Sequence, residues 1–216
     1  MRTAWLIVAA LLTGCSILPE AEALRVYQLP HGTATTSAPQ APDGPVLRIN
    51  RPHATPLLDS TRIVVLPEPD QLSAYHGVRW SDRGSVLLRD RLVEDLGRSG
   101  HFRAVVSDDL PGQASLEMSG DLKAFQVEYR GGRPLAAIRM QATLLIGGSR
   151  EVIASRAFVV ERSMNGSSVE AAVEALGRGA SALAEDLIRW LVEVSAISDR
   201  TARTARGLSG VQPVQE

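Results

Sequence analysis

Hydrophobic positions along this chain change period several times, and each change marks a predicted element. Residues 24–29, Leu-Arg-Val-Tyr-Gln-Leu, alternate apolar and polar side chains, the pattern of a strand with one buried face. Residues 46–49 and 61–66 predict a second and a third strand; Asp59 and Ser60 turn the chain into the third, and Pro67 and Pro69 end it. From Ser81 the spacing becomes helical, with Leu88, Leu92, Val93 and Leu96 on one stripe and Arg89, Asp90, Glu94 and Asp95 facing outward. A helix over 81–99 follows, capped by Ser81 or Asp82 and stopped near Gly100, and residues 102–106 return to strand.

Three long β-patterns come next, over 115–130, 135–146 and 151–162. The pairs Gly131-Gly132 and Gly147-Gly148 separate them and read as hairpin turns, so the three form an antiparallel meander. In the first, the apolar parity switches between Leu122-Ala124 and Phe125-Val127-Tyr129, which places a bulge near Lys123. A final helix opens at Ser167 or Ser168, with Glu170 and Glu174 near its positive end. Its apolar stripe is Val169, Val173, Leu176, Ala180, Leu183, Leu187, Trp190, Leu191 and Val194. Two helices with one apolar stripe each need a surface to cover. The pattern therefore predicts an α+β domain over 24–198, a small mixed, mostly antiparallel sheet with both helices on one face.

The remaining stretches are of a different kind. Residues 31–45 are rich in Thr, Ala, Ser, Gly and Pro and read as a flexible loop, and 199–216 lack periodicity and read as a disordered tail. At the other end, Arg2 precedes an apolar run over 4–12, too short to span a bilayer and of the length of a secretory signal core. Leu12-Thr13-Gly14-Cys15 follows and resembles the lipobox of bacterial lipoproteins, in which the Cys thiol receives a diacylglycerol and the signal, here 1–14, is removed. Residues 15–23 would then be a lipidated tether. Its eight residues after Cys15 reach at most about 28 Å, which holds the domain near the membrane surface.

Composition narrows the function. With 23 basic and 24 acidic side chains among 216 residues, the net charge of −1 leaves no footprint for nucleic acid. Cys15 is the single cysteine, so disulfides within the chain are excluded and stability comes from packing. The four histidines, His31, His53, His76 and His101, stand apart from one another and from acids at ligand spacing, and no Gly-x-Ser-x-Gly elbow occurs. No catalytic or metal-binding residue is therefore nominated, and no cofactor beyond the covalent lipid on Cys15. Gly177-Arg178-Gly179 has the look of half a dinucleotide fingerprint but sits inside a helix, where close packing explains it better. Asn165-Gly166-Ser167 reads as a turn, and Asp108-Asp109 before Pro111 as a solvated turn. Tyr75, Arg79 and Trp80 are the side chain types enriched at interface centres, and equally those that plug a loop onto its core.

In sequence order, these features resemble the ABC-type transport auxiliary lipoproteins, a family that includes the lipoprotein of the paraquat-inducible system. The resemblance is carried by Cys15, Tyr27-Gln28-Leu29, Leu58-Asp59 before Arg62-Ile63-Val64-Val65, then Leu72, Tyr75 and Arg79-Trp80. Helix leucines, Phe102, the meander and the long last helix complete it, over nearly all of the mature chain. Residues 31–45 and the Arg-rich tail depart from the pattern. The resemblance implies a non-catalytic, periplasm-facing accessory of a system moving lipids or other hydrophobic compounds. Its implied partners are an MCE-domain protein and an ABC transporter complex, with a second copy of the chain as a further possibility. Ser16 replaces the Asp that retains enteric lipoproteins in the inner membrane, which points to the outer membrane. Tyr75, Arg79 and Trp80 are the candidate interface for the MCE partner or a second copy. The alternative function is an envelope lipoprotein that activates cell-wall synthesis or acts as a hydrolase.

Overall fold

The computed structural model describes residues 24–31 and 41–208, with side chains through 194. Cys15, the tether 15–23 and most of the loop 31–45 lie outside the described residues. The frame of the domain is the expected meander: β8 (Leu116–Arg130), β9 (Arg133–Ile146) and β10 (Val152–Ser163), antiparallel throughout. Gly131 and Gly132 both take positive φ, 56° and 75°, as a two-residue turn matched to strand twist requires. The β8–β9 register slips between Leu122 and Ala124, at the bulge that the parity switch around Lys123 predicted.

The other edge of β8 is filled by short strands laid end to end and parallel to it. β2 (Val46–Ile49) lies against Leu116 to Met118, β3 (His53–Ala54) against Asp121 and Leu122, and β4 (Val64–Glu68) against Gln126 to Glu128. β5 (Gln71–Ala74) folds back antiparallel on β4, and β7 (Ala104–Ser107) extends the sheet parallel to β2. The sheet is therefore mixed, antiparallel in its long strands and parallel along this edge. A separate two-stranded ladder pairs β1 (Arg25–Tyr27) in parallel with β6 (Val78–Trp80).

Both helices cover the same face. Gly84, the first residue of α1 (Gly84–Arg98), lies against Phe125, whose register partner Ile138 lies under Gly179 of α2 (Val169–Leu208). The buried stripe of α1 is Leu88, Leu92 and Leu96, and that of α2 runs from Val173 through Leu176, Ala180, Leu183 and Leu187 to Leu191. Ser168 caps α2 as expected, its Oγ accepting from the Ala171 amide at 3.2 Å. At α1 the cap differs: Arg83 occupies that position without a side-chain bond, and Asp82 accepts from the Arg83 amide instead. The Gly84 amide donates to the Ser60 carbonyl at 3.1 Å, so a distant turn satisfies the helix end that Ser81 or Asp82 was expected to cap. The last helix continues past the expected boundary to Leu208, through Ala- and Arg-rich sequence of high helix propensity. Residues 209–216 lie outside the described residues.

Candidate functional site

The chain from Leu24 to His31 runs over the helix layer and is fastened residue by residue. Arg25 and Tyr27 both donate to Glu170 in the first turn of α2, at 2.9 and 2.5 Å. The Tyr27 bond lowers the Glu170 pKa and raises that of Tyr27. Leu29 is buried, and Pro30 packs onto Gly177, where an added Cβ would meet the proline ring and carbonyl at about 3.1 Å. The Gly-Arg-Gly sequence is thus a packing device: Gly177 admits Pro30, and Gly179 admits Ile138. Buried Arg91 ties the three parts together, donating to Asp95 on its own helix, to Ser181 of α2 at 2.6 Å and to the Pro30 carbonyl.

The candidate interface is split by its own secondary structure. Residues 78–80 form β6 rather than a loop, because parallel pairing with β1 satisfies their backbone. Trp80 is 1% exposed and stacks on Phe125 with ring centroids 5.9 Å apart, so in this conformation it offers no surface to a partner. Tyr75 is half-buried against the core, its hydroxyl has no hydrogen-bond partner among the described residues, and burial together with nearby Tyr129 pushes its pKa up to about 12. Arg79 alone of the three is exposed. Alternation along a three-residue strand puts Val78 and Trp80 inward and Arg79 outward, so the structure does not bring the three side chains into one surface patch.

Other charged groups are internally compensated. Arg89, expected on the outer face of its helix, is buried and bound to Asp90, Asp108 and Asp109. Burial works against its charge, but the three carboxylates outweigh burial and raise its pKa. Asp108-Asp109 is therefore a clamp on α1 and not a free solvated turn. On the sheet face away from the helices, Arg139 binds Glu128 with both guanidinium amines at 2.6 and 2.8 Å, and Arg130 bridges Glu128 to Glu161. The Arg139 bonds, with those from Arg130 and Gln126, hold Glu128 down at about 2 against the opposing effect of burial.

A groove of about 770 Å³ opens between the helices beside Pro30 and His31. Its arginines are all bonded within the protein: Arg91 and Arg98 bind Asp95, Arg178 binds Glu174 at 2.6 Å, and Arg162 donates to the Glu161 carbonyl at 2.8 Å. Among the described residues no group of three His, Cys, Asp or Glu side chains is placed to hold a metal ion. Among them, too, no helix is long and apolar enough to cross a membrane.

No curated protein matches the sequence. Among solved structures, protein XCC0632 from Xanthomonas campestris is 25% identical, with a TM-score of 0.68 over 81% of this chain and 99% of that one. An uncharacterized protein at 17% identity and a TM-score of 0.62 over 79% of this chain shares the fold. The family model of the ABC-type transport auxiliary lipoprotein component matches residues 27–188, from Tyr27 at the end of β1 to Ile188 midway along α2. The span takes in the whole eight-stranded sheet, β6, α1 and the first half of α2, and the chain belongs to the ABC-type transport auxiliary lipoprotein component family.

Proposed function

We propose that the chain is anchored through a lipid on Cys15 to the outer membrane, faces the periplasm, and serves an MCE and ABC-type machine that moves lipids or other hydrophobic compounds. It acts by binding its partners and not by catalysis. The observation that carries this reading is the join between anchor and domain: a lipobox ends at Cys15, and the family fold begins within the next dozen or so residues. A lipoprotein of a transport family whose body starts so close to its anchor is built to hold a partner at a membrane.

Two measurements test it. Fractionation of the parent and Cys15→Ala reads the anchor: the parent is expected with the outer membrane, and the variant as an unprocessed or soluble precursor. Equal recovery of both in the outer membrane would overturn lipidation. Cross-linking in envelopes followed by recovery of a tagged chain reads the partner, with an MCE protein and an ABC permease or ATPase expected. Recovery of a wall synthase in their place would overturn the transport reading.

A further inference from the structure

The β1–β6 ladder stands where the chain enters the domain. The Arg25 amide donates to the Gly77 carbonyl at 3.0 Å, so Leu24 begins beside the turn into β6. Leu24 is 57% and Val26 50% exposed, two aliphatic side chains left in solvent at this point. Val26 is the register partner of exposed Arg79. Trp80 donates to the Thr61 carbonyl at 2.7 Å and Gly84 to that of Ser60, which brings the backbones of Arg62 and Arg83 to the same place. Arg62, Arg79 and Arg83 are all exposed and have no ion-pair partner among the described residues. Arg25, Arg89, Arg91, Arg98, Arg130, Arg139 and Arg178 are each paired with a carboxylate, whereas Arg51, Arg103, Arg133, Arg150 and Arg156, dispersed over the rest of the domain, are like these three exposed and outside any ion pair among the described residues. Asp82 is the exposed acid between them, and its carboxylate is engaged by the Arg83 amide.

We propose that this surface, Leu24 and Val26 with Arg62, Arg79 and Arg83, rests on the phospholipid bilayer and binds its anionic headgroups. Three exposed guanidinium groups beside two exposed aliphatic side chains match the charge and depth of a headgroup layer. The proposal rests on lipidation at Cys15, which supplies the geometric half of the case. Ser16 to Ala23 span at most about 28 Å. The opposite end of the domain, with exposed Ile146 and Val152, lies about as far away as that. Trp80 of the ladder stacks on Phe125 of β8, and Ile146 pairs with Leu116 at the start of the same strand, roughly 30 Å along it. An inverted domain would hold Leu24 at the limit of a fully extended tether. The ladder end therefore faces the bilayer, and the Ile146 end is presented to the periplasm.

Lipidated full-length protein reconstituted into vesicles tests the proposal. With Cys15 acylated, a single introduced cysteine is the one free thiol, so Arg79→Cys and Ile146→Cys each accept one fluorophore. Quenching by headgroup-labelled lipid is expected to be strong at position 79 and several-fold weaker at 146. In phosphatidylcholine vesicles, adding phosphatidylglycerol should raise quenching at a third reporter site, Val26→Cys. In that background Arg62→Gln, Arg79→Gln and Arg83→Gln should each lower the docked-to-undocked ratio about fivefold. Protein that stays on washed vesicles with equal quenching at 79 and 146, or with no response to phosphatidylglycerol, overturns this proposal and leaves the anchor standing. Protein that washes off overturns the anchor and the proposal together.

Discussion

Truncating Trp80 to alanine should separate a core role from an interface role in one measurement. Trp80 is 1% exposed, stacks on Phe125 and stands beside the N-terminus of α1, so its removal leaves a large cavity under a helix end. Buried Trp or Phe to Ala costs about 3–5 kcal/mol, and the aromatic pair adds about 0.5–1.5 kcal/mol that truncation also forfeits. For a domain of this size each kcal/mol lowers the melting temperature by roughly 2–4 °C, giving an expected fall of about 7–26 °C. Arg79→Ala, its neighbour on the outward face, should stay within about 0.5 kcal/mol of the parent. Calorimetric melts of both variants check the pair. A Trp80→Ala melt within 2 °C or so of the parent would refute the packing described here, because no rearrangement short of filling the cavity could absorb the loss.

Three further outcomes follow from the structure. Glu128 is held at about 2 in the fold against 4.5 unfolded, so its contribution, on the order of 3 kcal/mol, is complete well above pH 4.5 and lost as pH falls toward 2. Denaturant titrations across that window should show a slope that Glu128→Gln removes; an equal slope in both proteins refutes it. Gly177→Val should cost about 1–3 kcal/mol and increase protease cleavage between Leu24 and His31, since the new side chain takes the space of Pro30. Unchanged stability and cleavage would show that the segment is not seated there. Tyr75→Phe removes a buried hydroxyl that has no partner among the described residues and should be neutral or stabilise by up to about 1 kcal/mol; a clear fall in the denaturation midpoint would reveal a hydrogen bond to that hydroxyl.

Long elements were legible because their signals are local. The α2 stripe repeats over many turns, Ser168 caps its own helix, and the parity switch near Lys123 lies within one strand. What escaped depends on residues far apart in the chain. β3, β5 and β6 have two to four residues each, too few for a period, and their existence is decided by β8, β4 and β1. The α1 cap was read as local, but its donor is satisfied from Ser60. Arg89 reads as outward on its helix until Asp108 and Asp109 arrive from a distant turn. Trp80 illustrates the limit most directly, since a buried plug and an interface anchor call for the same side chain, and only the neighbour Phe125 decides between them.

The order in which the partners occur along the chain has a consequence for how the domain is made. β2, β3 and β4 pair with a strand that begins at Leu116, and Arg25 meets Glu170, which is 145 residues later. Delivered with its N-terminus first, the chain makes only short pairings, β4 with β5, β1 with β6 and β2 with β7, before β8 arrives, and Pro30 has no seat until Gly177 has. The hairpins of β8, β9 and β10 are the long local contacts, and the seating of residues 24–31 on α2 has to wait for the last helix. For most of its synthesis the N-terminal half thus lacks the strand on which its sheet is built.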